Sequence, residues 1–92
     1  MYKFIEDPGH GWLEVTMKEL IDLGIADKIS SCSYRKNGTA YLEEDCDMGV
    51  FLEAKYGVGR REAFVDFFKN EVESEYAENV FVRNLDNYWF NA

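Results

Sequence analysis

The dipeptide Asn37-Gly38 constrains this chain more than any other feature. Asn-Gly is the preferred pair for a two-residue type I′ turn, whose twist matches the flanking strands. It predicts a hairpin between residues 31–36 and 39–44. A two-residue loop pairs Lys36 with Thr39, Tyr34 with Tyr41 and Cys32 with Glu43. The two tyrosines then form an aromatic contact across the ladder. Ala40 and Leu42 take the opposite face, and the alternation alone leaves open which face meets the core.

Upstream, Asp7-Pro8-Gly9-His10-Gly11 is a dense turn signal. Proline sets one φ and the glycines permit positive ones. Residues 2–15 therefore read as two strands joined by a glycine-rich turn. Thr16-Met17-Lys18-Glu19 has the T-x-x-E form of a capping box, in which Thr16 caps the N–H of residue 19 and Glu19 reaches back. Met17, Leu20 and Ile21 share one face of a helix over 17–23. Gly24 ends it in a left-handed cap, and Ile25 supplies the apolar contact that follows.

Downstream, Asp45 or Asp47 caps a helix over about 48–56, with Val50, Phe51 and Ala54 as its apolar stripe. Gly57-Val58-Gly59 breaks it. A third helix starts near 60 and runs to at least 70, with Phe64, Phe67, Phe68, Val72 and Tyr76 at helical spacing. The phenylalanines are core material, since a domain of this size needs those rings inside. Val80-Phe81-Val82 reads as a last strand. Tyr88-Trp89-Phe90 makes an aromatic tail of the kind that docks onto the body or onto a second chain.

With 92 residues, 47% of them apolar and 16% aromatic, the chain is one domain over 1–92 of class α+β, with antiparallel hairpins packed against two to three helices. Its composition excludes general disorder. There is one proline and no tandem period, which excludes collagen-like and solenoid classes.

Charge narrows the partners. The formal net charge is −8. Residues 1–42 hold five basic and six acidic side chains, whereas residues 43–92 hold five and twelve. Such a chain is repelled by phosphate backbones and by anionic membrane surfaces, so neither nucleic acid nor membrane is an expected direct partner. Attraction runs toward a host protein with a basic surface. Solubility is the plainer reading of the same charge. The candidate binding residues are Glu43, Glu44, Asp45 and Asp47 in one block, and Glu62, Asp66, Glu73 and Glu78 along the outer face of the third helix.

Four carboxylates in residues 43–47 also raise the question of a hard cation. The spacing fails the EF-hand loop, because Val50 stands where its glycine belongs and Tyr56 where its closing glutamate belongs. His10, with Cys32 or Cys46 and a carboxylate, has the residue types of an acid–base or metal site. No C-x-x-C, H-x-x-x-H or G-x-S-x-G string accompanies them, and His10 reads as a turn residue. No glycine pair forms a phosphate loop, so no metal, nucleotide or other cofactor is expected. No apolar leader is read at the start, and no apolar run approaches the roughly 18 residues of a membrane span. The expected compartment is a reducing bacterial cytoplasm with Cys32 and Cys46 as free thiols.

Gly9-His10-Gly11-Trp12-Leu13-Glu14-Val15, Leu23-Gly24-Ile25, Lys28-Ile29-Ser30, Ser33-Tyr34 and Tyr41-Leu42-Glu43-Glu44-Asp45-Cys46-Asp47 together resemble a family of small uncharacterised phage- and plasmid-encoded proteins. The resemblance covers residues 7–52 and implies a mobile-element gene. It transfers no catalytic assignment. The expected function is that of a non-enzymatic acidic interaction protein that inhibits a basic nucleic-acid-handling host protein, in the manner of anti-restriction or anti-CRISPR nucleic-acid mimics. The alternatives are an accessory module that homodimerises through Tyr88, Trp89 and Phe90, and a small metal-dependent enzyme built on His10, a cysteine and the carboxylates.

Overall fold

Strict alternation in residues 11–16 and 39–43 sends Leu13, Val15, Ala40 and Leu42 to one face of a sheet, and Trp12 and Tyr41 to the other. Both faces are covered. The sequence pattern left the core face undecided because each alternate set is apolar. A computed structural model describes residues 1–91 and shows an α+β fold.

Its strands are β1 (Tyr2–Glu6), β2 (Gly11–Thr16), β3 (Tyr34–Lys36), β4 (Thr39–Glu43), β5 (Val72–Tyr76) and β6 (Asp86–Asn87). They form one six-stranded sheet in the order β5-β1-β2-β4-β3-β6. All neighbours are antiparallel except β1 and β5, which run parallel. The helices are α1 (Met17–Asp22), α2 (Asp47–Tyr56) and α3 (Arg61–Glu71). Phe51 and Phe67 from α2 and α3 pack with Phe4, Leu13, Leu20 and Leu42 into the larger core. On the reverse face Ile5, Trp12 and Tyr41 are covered by Val80 and Val82.

Local signals explain α1 well. Thr16 Oγ1 accepts from the Glu19 N–H at 3.2 Å. Gly24 adopts φ +74°, its N–H reaches the Ile21 carbonyl at 2.9 Å, and the Ile25 N–H reaches the Leu20 carbonyl at 3.0 Å. This is the Schellman arrangement. The return half of the capping box is not made. Glu19 instead accepts from the Tyr2 hydroxyl at 2.7 Å and from Lys55 Nζ at 3.1 Å, tying α1 to β1 and α2. Ile21, predicted on the inner face, is 53% exposed.

The hairpin register is as predicted from Tyr34/Tyr41 to Lys36/Thr39. The turn is not type I′: Asn37 has φ 53°, but Gly38 lies outside the left-handed region that type I′ requires of it. The Gly38 carbonyl accepts from the Met17 N–H at 2.8 Å, satisfying one of the unpaired donors that open α1. The ladder also stops short of the predicted Cys32/Glu43 pair. Ser33 Oγ takes the Glu43 N–H at 3.0 Å, and residues 31–33 turn away.

Three further expectations are corrected. Helix α2 starts at Asp47 without a side-chain cap from Asp45 or Asp47, and Ala54 faces solvent while Leu52 is buried. The third helix ends at Glu71, where Val72 goes extended (φ −121°, ψ 135°) to pair beside β1, so Val72 and Tyr76 belong to a strand. The predicted strand over 80–82 is instead an extended Val80 (φ −96°, ψ 142°) followed by one 3-10 turn, Phe81–Asn84. It lies over a sheet face and has no strand neighbour there.

Candidate functional site

The acidic block at the end of β4 separates by environment. Asp47, at the first position of α2, is 2% exposed and points inward. It accepts from the Ser30 N–H at 3.0 Å, Ser30 Oγ at 2.8 Å and Ser33 Oγ at 2.5 Å. It therefore fastens the loop over 30–33 to the start of α2. Glu43 is also buried, accepting from the Asp45 N–H at 2.7 Å and standing 3.0 Å from His10 Nδ1. These two carboxylates leave the predicted docking set, because their oxygens are spent inside the molecule. Glu44 and Asp45 remain exposed. The Glu44 carboxyl is pushed up, by desolvation first and then by repulsion from Asp45, Glu6 and Glu43. A local excess of negative charge is thus real at this corner.

The second group does not form one helical stripe. Glu62 and Asp66 lie four residues apart on α3, exposed. Glu73 lies on β5, and Glu78 follows that strand. By register, Glu73 and Glu75 project on the sheet face shared by Lys3 and Ile5. Lys3 Nζ is 3.4 Å from Glu75. Among the described residues Glu62, Asp66, Glu73 and Glu78 make no ion pair. Strand β5 is the outermost strand on its side of the sheet, so its outer edge has no strand partner among the described residues.

A cleft of about 360 Å³ opens at the other end of the sheet. His10, Trp12, Cys32, Tyr34, Glu43, Asp45, Cys46 and Arg83 line it, and three of these build it. Trp12 is 2% exposed and forms its floor. Tyr34 meets that ring edge-on, with centroids 6.2 Å apart. The Arg83 guanidinium lies 5.2 Å from the Trp12 ring centroid and is clamped by Asp7. Asp7 also accepts from the Gly9 and His10 N–H groups at 2.9 and 2.8 Å. Its carboxyl is held well below the usual range, chiefly by the Arg83 hydrogen bond and then, against burial, by the two backbone donors.

The cleft brings together the residues suspected of chemistry: His10, both cysteines and two carboxylates. They are not placed for metal binding, since no three His, Cys, Asp or Glu groups converge among the described residues. His10 is oriented by Glu43, and among the described residues no nucleophile is hydrogen-bonded to its ring. No family model, curated protein or solved structure matches the chain. No helix is long and apolar enough to cross a membrane among the described residues.

The aromatic tail is largely folded onto the chain itself. Tyr88 is buried, its hydroxyl donating to the Ala26 carbonyl at 2.5 Å and its N–H to the Ser33 carbonyl at 2.8 Å. Phe90 packs against the larger core. Only Trp89 keeps a large exposed surface, at 47%, with Arg35 stacked 3.7 Å from its centroid. Sequence reading missed Asp7 and Arg83, which are 76 positions apart. Asp7 was legible only as a turn residue, and nothing near Arg83 signals its partner.

Proposed function

We propose that this chain is a non-enzymatic acidic interaction protein that docks a basic protein surface along the β5 edge. The single observation that carries the reading is an open edge strand that exposes two glutamates, Glu73 and Glu75, beside Ser74 and Tyr76. An open edge offers unpaired N–H and C=O groups to an incoming strand. Glu73 and Glu75 on β5, with Glu78 just beyond, repel a second copy of the same edge and favour a segment carrying Lys or Arg. Glu62 and Asp66 on α3 and Glu44 and Asp45 at the cleft corner widen the negative field. A basic nucleic-acid-handling host protein is the partner class that fits, which agrees with the resemblance to phage- and plasmid-encoded proteins and with a mimic of phosphate charge.

The test is affinity for a basic host nuclease or CRISPR effector at low and high salt. The complex weakens by at least tenfold between about 50 and 500 mM salt, because exposed charge pairs are screened within about 10 Å at 0.1 M. Affinity indifferent to salt refutes the mimic reading. A second reading, self-association through the tail, is favoured by the exposed ring of Trp89. Its test is the solution mass of Trp89→Ala, since deleting residues 86–92 would also remove the buried Tyr88. An unchanged monomeric mass before and after the substitution removes it.

A further inference from the structure

Cys32 and Cys46 come from different segments, the loop before β3 and the turn before α2, yet both are exposed and both line the cleft. Ser30 joins them. Its hydroxyl lies 3.4 Å from Cys46 Sγ and accepts from the Cys32 N–H at 3.2 Å. Both cysteines therefore contact one side chain, one through its sulfur and the other through its backbone N–H. The loop is held in that position from below, by Asp47 on Ser30 and Ser33. The two cysteines are thus brought to a common neighbour, Ser30, whose position is fixed by Asp47.

We infer that Cys32 and Cys46 are an oxidation site, a dithiol that closes to an intramolecular disulfide across the cleft wall. With hydrogen peroxide as oxidant, one thiolate attacks the peroxide, releasing hydroxide and becoming a sulfenic acid. The second thiolate attacks that sulfur and displaces hydroxide, and the two hydroxides take up the two protons the thiols gave off. In sum two S–H bonds are lost, one S–S bond forms, and peroxide takes two electrons and two protons to become two waters. The Cys46 thiol is pulled down by the Ser30 hydroxyl but pushed up further by Cys32, by desolvation and by Asp47, so its net position is raised. The reaction is accordingly slow at neutral pH and accelerates as pH rises. This inference is independent of how the β5 edge is used.

The experiment incubates the whole chain with oxidised glutathione and follows intact mass and free thiols. Wild type passes through one mixed disulfide, which the neighbouring thiol resolves. The product is a monomer lighter by two hydrogens with no free thiol. Cys32→Ser and Cys46→Ser each stop at the mixed disulfide. The closed form melts on the order of 10 °C higher, and dithiothreitol reverses the shift, because the bond closes a loop of about 15 residues. Accumulation of a doubly glutathionylated wild type, or of disulfide-linked dimers, overturns the inference. Both serine variants replace exposed side chains, and thermal melting confirms that they are folded.

Discussion

Asp47 and Asp45 are two residues apart in one acidic block, and they differ most when each is replaced. Asp47→Ala removes three hydrogen bonds to a buried carboxylate, from the Ser30 N–H, Ser30 Oγ and Ser33 Oγ. Hydrogen bonds to a charged group contribute about 1.5–3 kcal/mol each, and the three are not additive because they share one acceptor. Ser33 is fully buried and keeps its contact with the Glu43 N–H, so part of the network survives. The expected loss is about 3–5 kcal/mol, a large share of the 5–15 kcal/mol typical of a small domain. Thermal melting should fall by on the order of 15 °C or more, at about 4–8 °C per kcal/mol. Asp47→Asn keeps one acceptor oxygen and should lie between. Asp45 is exposed, so Asp45→Asn should stay within about 0.5 kcal/mol of wild type. Urea unfolding of the three variants measures all of this. If Asp47→Ala and Asp45→Asn cost the same, the division of the block into an internal anchor and an outer charge is wrong.

Other perturbations test other joints. A Cβ at Gly11 would lie 2.9 Å from Phe4 Cε2 and closer still to its Cζ, so Gly11→Ala should destabilise by about 1–3 kcal/mol in urea unfolding. The Asp7 carboxyl is held below its unfolded value near 3.9. Its stabilisation is therefore complete above that value and is lost as pH falls through the lower folded one. Arg83→Gln should flatten that acid limb in melts between about pH 5 and 2. Tyr41 is pushed up to about 12, by burial first and then by Glu14. Its contribution holds below the ordinary tyrosine value near 10 and fades as pH rises toward the folded one, so Tyr41→Phe should melt with less alkaline sensitivity. Tyr88→Phe leaves the Ala26 carbonyl without its hydroxyl donor and should cost about 1 kcal/mol in the same unfolding assay.

What was readable in the sequence was local. Thr16, Gly24 and Ile25 act within one helix, and Asn37-Gly38 joins adjacent strands, so short-range chemistry decides each outcome. The limit shows at residues 72–76. Their spacing suits a helix, and no glycine or proline stands between Glu71 and Tyr76 to end one. The strand forms because β1 offers an open edge alongside, which no local pattern encodes. The same holds for the acidic block. Whether Asp47 faces water or the interior depends on Ser30 and Ser33, 17 and 14 residues earlier, folding back as donors. The cleft is less legible still, since Asp7, Trp12, Glu43 and Arg83 meet only once the sheet has formed. Residue types suggested chemistry at His10 and the cysteines, and the fold brings them to one cleft without placing either sulfur in hydrogen-bond contact with His10 among the described residues.

Charge on an edge strand has two explanations that predict the same wild-type behaviour. Glutamates on β5 guard an open edge against pairing with other chains, and they also select a cationic partner. The two separate under substitution, because edge protection depends on the presence of charge and docking depends on its sign. Replacing Glu73, Glu75 and Glu78 together by Lys moves the formal charge from −8 to −2, still away from zero, and keeps the edge charged. Replacing the same three by Gln removes the protection without reversing the field. If the edge docks a basic surface, the Lys variant stays monomeric in light scattering and loses the partner by at least tenfold, while the Gln variant loses affinity less and aggregates more readily. A Lys variant that stays monomeric and binds the partner as tightly as wild type would leave β5 a guarded edge alone, with recognition placed elsewhere on the surface.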